Sequence, residues 1–130
     1  MNSKILQHIL YVEDDPDIQT VAQIALEMVG GFQLTICSSG RVAIQEAEKL
    51  VPDLLLLDVM MPEMDGPSTL EALRKLANTA TTPAIFMTAK VQTSEVEYYK
   101  SLGALGIIAK PFDPMSLATQ VRALWDEIKE

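Results

Sequence analysis

The chain has 130 residues, 48% hydrophobic and 22% charged, an ordinary globular balance and enough for one domain with a buried core. Its formal net charge of −8 argues against this chain itself gripping nucleic acid, which calls for clustered Lys and Arg. One cysteine rules out an internal disulfide, zinc-ligand spacings are absent, and no apolar run approaches the ~20 residues of a membrane helix.

Residues 1–7 lack the apolar stretch and small-residue cleavage pattern of a signal peptide, so a cytoplasmic chain without membrane insertion is expected. Residues 9–12 read as a first strand, with His8 before it as a surface or edge residue. Pro16 suits the first turn of a helix, and Ile18, Val21, Ala22, Ala25, Met28 and Val29 predict one apolar stripe ended by Gly30-Gly31. Residues 32–37 read as a second strand holding a buried Cys37. Ser38-Ser39-Gly40 caps a helix over residues 41–50, stopped by Val51-Pro52.

Residues 54–57 are leucine throughout, the pattern of a strand covered on both faces. Pro62, Gly66 and Pro67 mark a loop and a helix start, with Leu70, Leu73, Leu76 and Ala77 as that helix's inner stripe. A fourth strand follows at residues 83–87, then a helix near residues 93–102 facing inward with Val96, Tyr99 and Leu102. Residues 106–109 form a short fifth strand, and Leu117, Val121, Leu124, Trp125 and Ile128 give the cleanest helical stripe. Such alternation predicts an α/β fold, a parallel sheet with helices on both faces, in a single domain.

In such sheets ligands bind beyond the carboxyl ends of the strands. Glu13 and Asp14 follow the first strand, Asp58 the third, Thr88 and Lys90 the fourth, and Lys110 the fifth. Each has an ordinary structural explanation when taken singly: a cap, a helix-dipole acid, a strand-end residue, a surface charge. Together they form a site. A carboxylate attacking a phosphoryl centre must overcome repulsion between two anions, and a divalent metal relieves it. Glu13 and Asp14 offer hard oxygen ligands for Mg²⁺, Lys110 a charge for a phosphoryl oxygen, and Thr88 a hydroxyl.

The motifs Val12-Glu13-Asp14-Asp15-Pro16, Leu57-Asp58-Val59-Met60-Met61-Pro62-Glu63-Met64-Asp65-Gly66, Met87-Thr88-Ala89-Lys90 and Lys110-Pro111-Phe112 resemble those of receiver domains of two-component response regulators, over the whole chain. The resemblance implies a five-stranded parallel sheet in order 2-1-3-4-5. It implies Asp58 as acceptor of a phosphoryl group from a histidine kinase or phosphotransfer protein, with Thr88 and Lys110 assisting. It implies Mg²⁺ held by Asp14, Asp58 and the Met60 carbonyl, with Glu13 acting through water, and a cis bond before Pro111.

A downstream protein is expected at the face of the fourth helix, fifth strand and fifth helix, with Tyr98, Tyr99 and Lys100 as candidate contacts. A dimer formed on phosphorylation stays open. In the geometry the resemblance implies, Met60 and Lys90 flank the path of a hydrolytic water, and slow self-hydrolysis is expected. Ile107 stands where many members of the family carry an aromatic ring, so their usual readout is in doubt here. No output domain is expected within residues 1–130, leaving a stand-alone receiver or one excised from a larger regulator or hybrid kinase. An aspartyl-phosphate phosphatase fits less well, because its nucleophile follows the first strand in an Asp-x-Asp arrangement. A flavin carrier fits poorly because Glu13-Asp14-Asp15 repels phosphate.

Overall fold

The centre of the molecule is strand β3, Leu54–Asp58, buried along its whole length. β1, His8–Val12, and β4, Ala84–Thr88, flank it, with β2, Gln33–Cys37, and β5, Gly106–Ala109, at the edges. The order is β2-β1-β3-β4-β5, and every pairing is parallel, as the sequence and its family resemblance lead one to expect. The computed structural model describes residues 4–128; residues 1–3, part of the N-terminal stretch read above, and residues 129–130 lie outside the described residues.

Helices α1, Pro16–Gln23, and α5, Leu117–Asp126, cover one face of the sheet, where Ala22, Ala25, Leu26, Val121 and Trp125 pack on Ile9, Leu56 and Ile85. Helices α2, Gly40–Ala47, α3, Gly66–Leu73, and α4, Thr93–Ser101, cover the other, where Ala43, Leu70, Leu73 and Tyr99 pack on Leu55, Leu57 and Phe86. Period-two alternation along each strand divides its side chains between these two cores. Side-chain oxygens start three helices: Asp15 caps α1, Ser39 caps α2 and Asp65 caps α3.

Three helical stripes differ from the sequence reading. α1 widens into a π-helical segment, Ile24–Val29, closed by a bond from the Gly30 N–H to the Ala25 carbonyl. This winding, with small residues on the inside, buries Ala22, Ala25 and Leu26 and leaves Val21, Met28 and Val29 exposed. α3 stops at Leu73, so Ala77 lies outside it, in a 3₁₀ turn at Ala77–Thr79, and is exposed. On α4, Tyr99 alone is buried, and Leu102 is exposed at the helix end.

Candidate phosphorylation site

β1 and β3 are neighbours although β2 comes between them in sequence, so the chain reverses direction of winding there and opens a crevice at the strands' carboxyl ends. Glu13 and Asp14 leave β1 at that crevice, and Asp58 is the last residue of β3. One carboxylate oxygen from each of the three lies within 4.8 Å of the others. Lys110, just past β5, reaches in from the side: its Nζ is 2.8 Å from Glu13 Oε1 and 3.1 Å from Asp58 Oδ1. The Lys110–Pro111 bond is cis.

Glu13 and Asp58 are buried, and Asp14 is half-buried. Burial pushes the Glu13 carboxyl above the ordinary carboxylate range; the bonds from Lys110 and from the Asp15 N–H offset only part of it, and Asp58 adds to the rise. Burial likewise raises Asp58 against the pull of Lys110. For Lys110 burial acts downward, but its two carboxylate partners outweigh it and the ammonium is held above its usual range. Glu13 and Asp58 resist ionisation, and the three clustered carboxylates offer hard oxygen donors, which fits a divalent cation of the Mg²⁺ class.

Thr88 ends β4 next to this group; its hydroxyl accepts from the Lys90 N–H at 3.2 Å, and its carbonyl accepts from the Lys110 N–H at 2.9 Å. Lys90 and Met60 are both exposed, Met60 at 77%. Three supporting residues were given no part in the site by the sequence reading. Tyr11, fully buried, points its hydroxyl at Glu13 Oε1 from 3.5 Å; burial first, then the charges of Glu13 and Asp58, keep that hydroxyl protonated. Gln19 donates to the Glu13 carbonyl. Gly66 folds the chain back onto β3: its N–H bonds the Val59 carbonyl, and a Cβ there would stand 2.5 Å from the Asp58 carbonyl oxygen. The signals available were Tyr11's place two residues before Glu13 on the same strand face and Gly66's place between Asp65 and Pro67. Cys37 is buried, and burial, then the charge of Glu46, pushes its thiol up to about 11, so it plays no nucleophilic part at neutral pH.

The family model of the response regulator receiver domain matches residues 9–122. The chain belongs to that family. This receiver domain is 35% identical over 117 residues to the transcriptional regulatory protein CseB of Streptomyces coelicolor, covering 90% of this chain and 48% of CseB. It thus spans about half the length of the curated relatives it matches. Among solved structures, the chemotaxis protein CheY4 of Vibrio cholerae superposes with a TM-score of 0.83 at 27% identity, over 92% of this chain and 99% of that one. The receiver domain of the sensor histidine kinase PA1611 from Pseudomonas aeruginosa, which carries a magnesium ion coordinated in its active site cleft, superposes with a TM-score of 0.77 at 32% identity, over 94% and 97%. Receiver domains are the switch elements of two-component systems rather than enzymes in the usual sense. No helix among the described residues is long and apolar enough to cross a membrane.

Proposed function

We propose that Asp58 is the phosphoacceptor of this receiver, taking its phosphoryl group from a phosphohistidine of a histidine kinase or phosphotransfer protein. A carboxylate oxygen of Asp58 forms the new O–P bond while the P–N bond to the donor imidazole breaks and the ring nitrogen keeps the electron pair. The observation that carries this reading is the meeting of the Glu13, Asp14 and Asp58 carboxylates with the Lys110 ammonium at the carboxyl ends of β1, β3 and β5. Lys110 draws on its existing contact with Asp58 to pair with a phosphoryl oxygen, and the Thr88 hydroxyl donates to another. Asp14, Asp58 and the Met60 carbonyl are the groups that would hold Mg²⁺, with Glu13 acting through water. Bound there, the ion supplies charge neutralisation between the attacking carboxylate and the phosphoryl oxygens.

Phosphorylation changes the surface of α4, β5 and α5 that a downstream protein reads, and slow self-hydrolysis resets it. Two contacts of Lys110 support this, one through its side chain to Asp58 and one through its N–H to Thr88. The test of the acceptor is incubation with acetyl phosphate and Mg²⁺ followed by intact mass. The parent chain gains one phosphoryl mass, and Asp58→Asn, which keeps the shape and loses the nucleophile, gains none. Equal uptake by the variant overturns the assignment.

A further inference from the structure

A cleft of about 670 Å³ opens between α3 and α4. One wall starts at Met60, two residues past Asp58, and runs through the α3 cap Asp65 to Glu71. The other wall is α4, with Tyr98, Tyr99 and Leu102. The volume is in the range of sites that enclose a side chain or small ligand.

Both walls lead back to the phosphorylation site. Met60 does so through the chain itself. Tyr99 does so through Phe86: the two rings are 5.0 Å apart, and Phe86 lies two residues before Thr88 on the same face of β4. The Tyr98 ring, 53% exposed, stands 5.2 Å from Tyr99. Ile107, beside Phe86 in the β4–β5 ladder, has no ring, so α4 brings the aromatic surface to this part of the sheet. A small movement at Asp58 or Thr88 therefore reaches both sides of the cleft.

The charges in the cleft specify what it takes. Asp65 spends one carboxylate oxygen on the Ser68 N–H, and Glu71 has no hydrogen bond or ion pair among the described residues. Arg74 is the one cation among the lining residues, and its guanidinium is engaged by the carbonyls of Thr79 and Thr82. Two acids beside two tyrosine rings, with apolar Met60 and Leu102 at the edges, match a cationic head on an aliphatic stem. A second copy of this chain, with its net charge of −8, is a poor match.

We propose that the α3–α4 cleft docks a basic segment of a partner protein, an Arg or Lys flanked by aliphatic side chains, and that the affinity of this docking follows the state of Asp58. The second half rests on Asp58 being the phosphoacceptor.

The test is an amide NMR titration of the full chain with the peptide acetyl-Ala-Leu-Arg-Leu-Ala-amide, against the same peptide with citrulline in place of arginine. Shifts centred on Met60, Glu71 and Tyr98 are expected. Affinity should drop about fivefold with citrulline, the scale of one exposed ion pair plus one cation–π contact, and about twofold in Glu71→Gln, which removes the ion pair alone. With Mg²⁺ and beryllofluoride the arginine peptide's affinity should change by about fivefold, a modest allosteric coupling. Shifts centred elsewhere, equal binding of both peptides, or cleft signals lost to a dimer of this chain would overturn the docking proposal. If beryllofluoride shifts the Asp58 and Thr88 amides and the affinity does not move, the coupling is wrong while the acceptor stands. If it leaves those amides unmoved, the acceptor reading fails and the coupling with it, and the peptide arm still decides the docking.

Discussion

Asp14 has no ion-pair partner among the described residues, while Glu13 and Asp58 share Lys110. Its charge therefore adds repulsion to the cluster without returning an attraction. Asp14→Asn should raise the stability of the metal-free protein by about 0.5 kcal/mol, the scale of one partly solvated charge pair. The same change should shrink the rise in melting temperature that Mg²⁺ produces, since binding stabilises only as far as affinity allows. An undiminished Mg²⁺ shift would remove Asp14 from the ligand set. Asp53, before the same strand whose end carries Asp58, works in the opposite sense. Burial there acts upward, but the N–H groups of His8 and Gln7 and the Lys4 ammonium outweigh it and hold its carboxyl below the ordinary range. A carboxyl depressed in the folded state adds stability above its unfolded pKa and loses it as pH falls through the folded value. Asp53→Asn should thus cost about 1 kcal/mol at neutral pH, and the gap to the parent should close in acid below the usual carboxylate range. Melting curves across pH measure it, and a gap constant down to low pH would contradict the role. In the sequence Asp53 and Asp58 bracket one leucine run, and only the direction of the strand says which of them faces a crevice. The part of Tyr11 was only partly legible: its place two residues before Glu13 could be read, but an alternating strand marks it as core and only the folded strand shows its hydroxyl rising to Glu13.

The elements around Asp58 are held by a turn with no spare room. Gly66 begins α3 directly against the end of β3, where a Cβ would meet the Asp58 carbonyl oxygen at 2.5 Å and Val59 Cα at 3.0 Å. Both are backbone atoms, so Gly66→Ala must push the acceptor's own peptide aside. Overpacking of this kind costs about 1–3 kcal/mol. Phosphoryl uptake from acetyl phosphate should fall in Gly66→Ala and stay at the parent level in Asp53→Asn, which loses stability at the far end of the sheet. Equal uptake by all three proteins would mean that the contact is structural only. Strand positions were readable because four of the five are short apolar runs, and β3 has no polar interruption until Asp58. α1 was harder to read. Its apolar residues outnumber the places on one face, and the π-helical winding of Ile24–Val29 lets Leu26 take the inner place that Val29 was expected to fill. α4 has a single buried residue, so its inner face depends on how it sits over Phe86, which a periodic pattern does not encode.

Across the whole molecule, the parallel order carries every strand's carboxyl end to the same edge, and one residue then ties that edge together. Lys110 holds Asp58 through its Nζ at 3.1 Å and Thr88 through its N–H at 2.9 Å. Whatever draws the ammonium or the Thr88 hydroxyl toward a group on Asp58 must move the β4–α4 and β5–α5 connections together. On the other face, Gln19 bonds the Glu13 carbonyl, and α5 is anchored away from the site by Arg122 on the Gly30 carbonyl and over the Phe32 ring, and by the Trp125 N–H on the Lys4 carbonyl. α2 makes no such link to Asp58 or Lys110 among the described residues; it closes on α3 and the loop before it, where a Cβ at Gly40 would run into Thr69 and Met64. The change should therefore run from Asp58 through residues 88–110 into α4 and β5, with α2 unaffected. Amide exchange with Mg²⁺, with and without beryllofluoride, measures this directly. Altered exchange is expected in the loop after Thr88, along α4 and at β5, together with the residues flanking Asp58. Affinity for a downstream partner follows only as far as that partner distinguishes the two states. Exchange changes confined to α1 and α2 would show that the output leaves by another face.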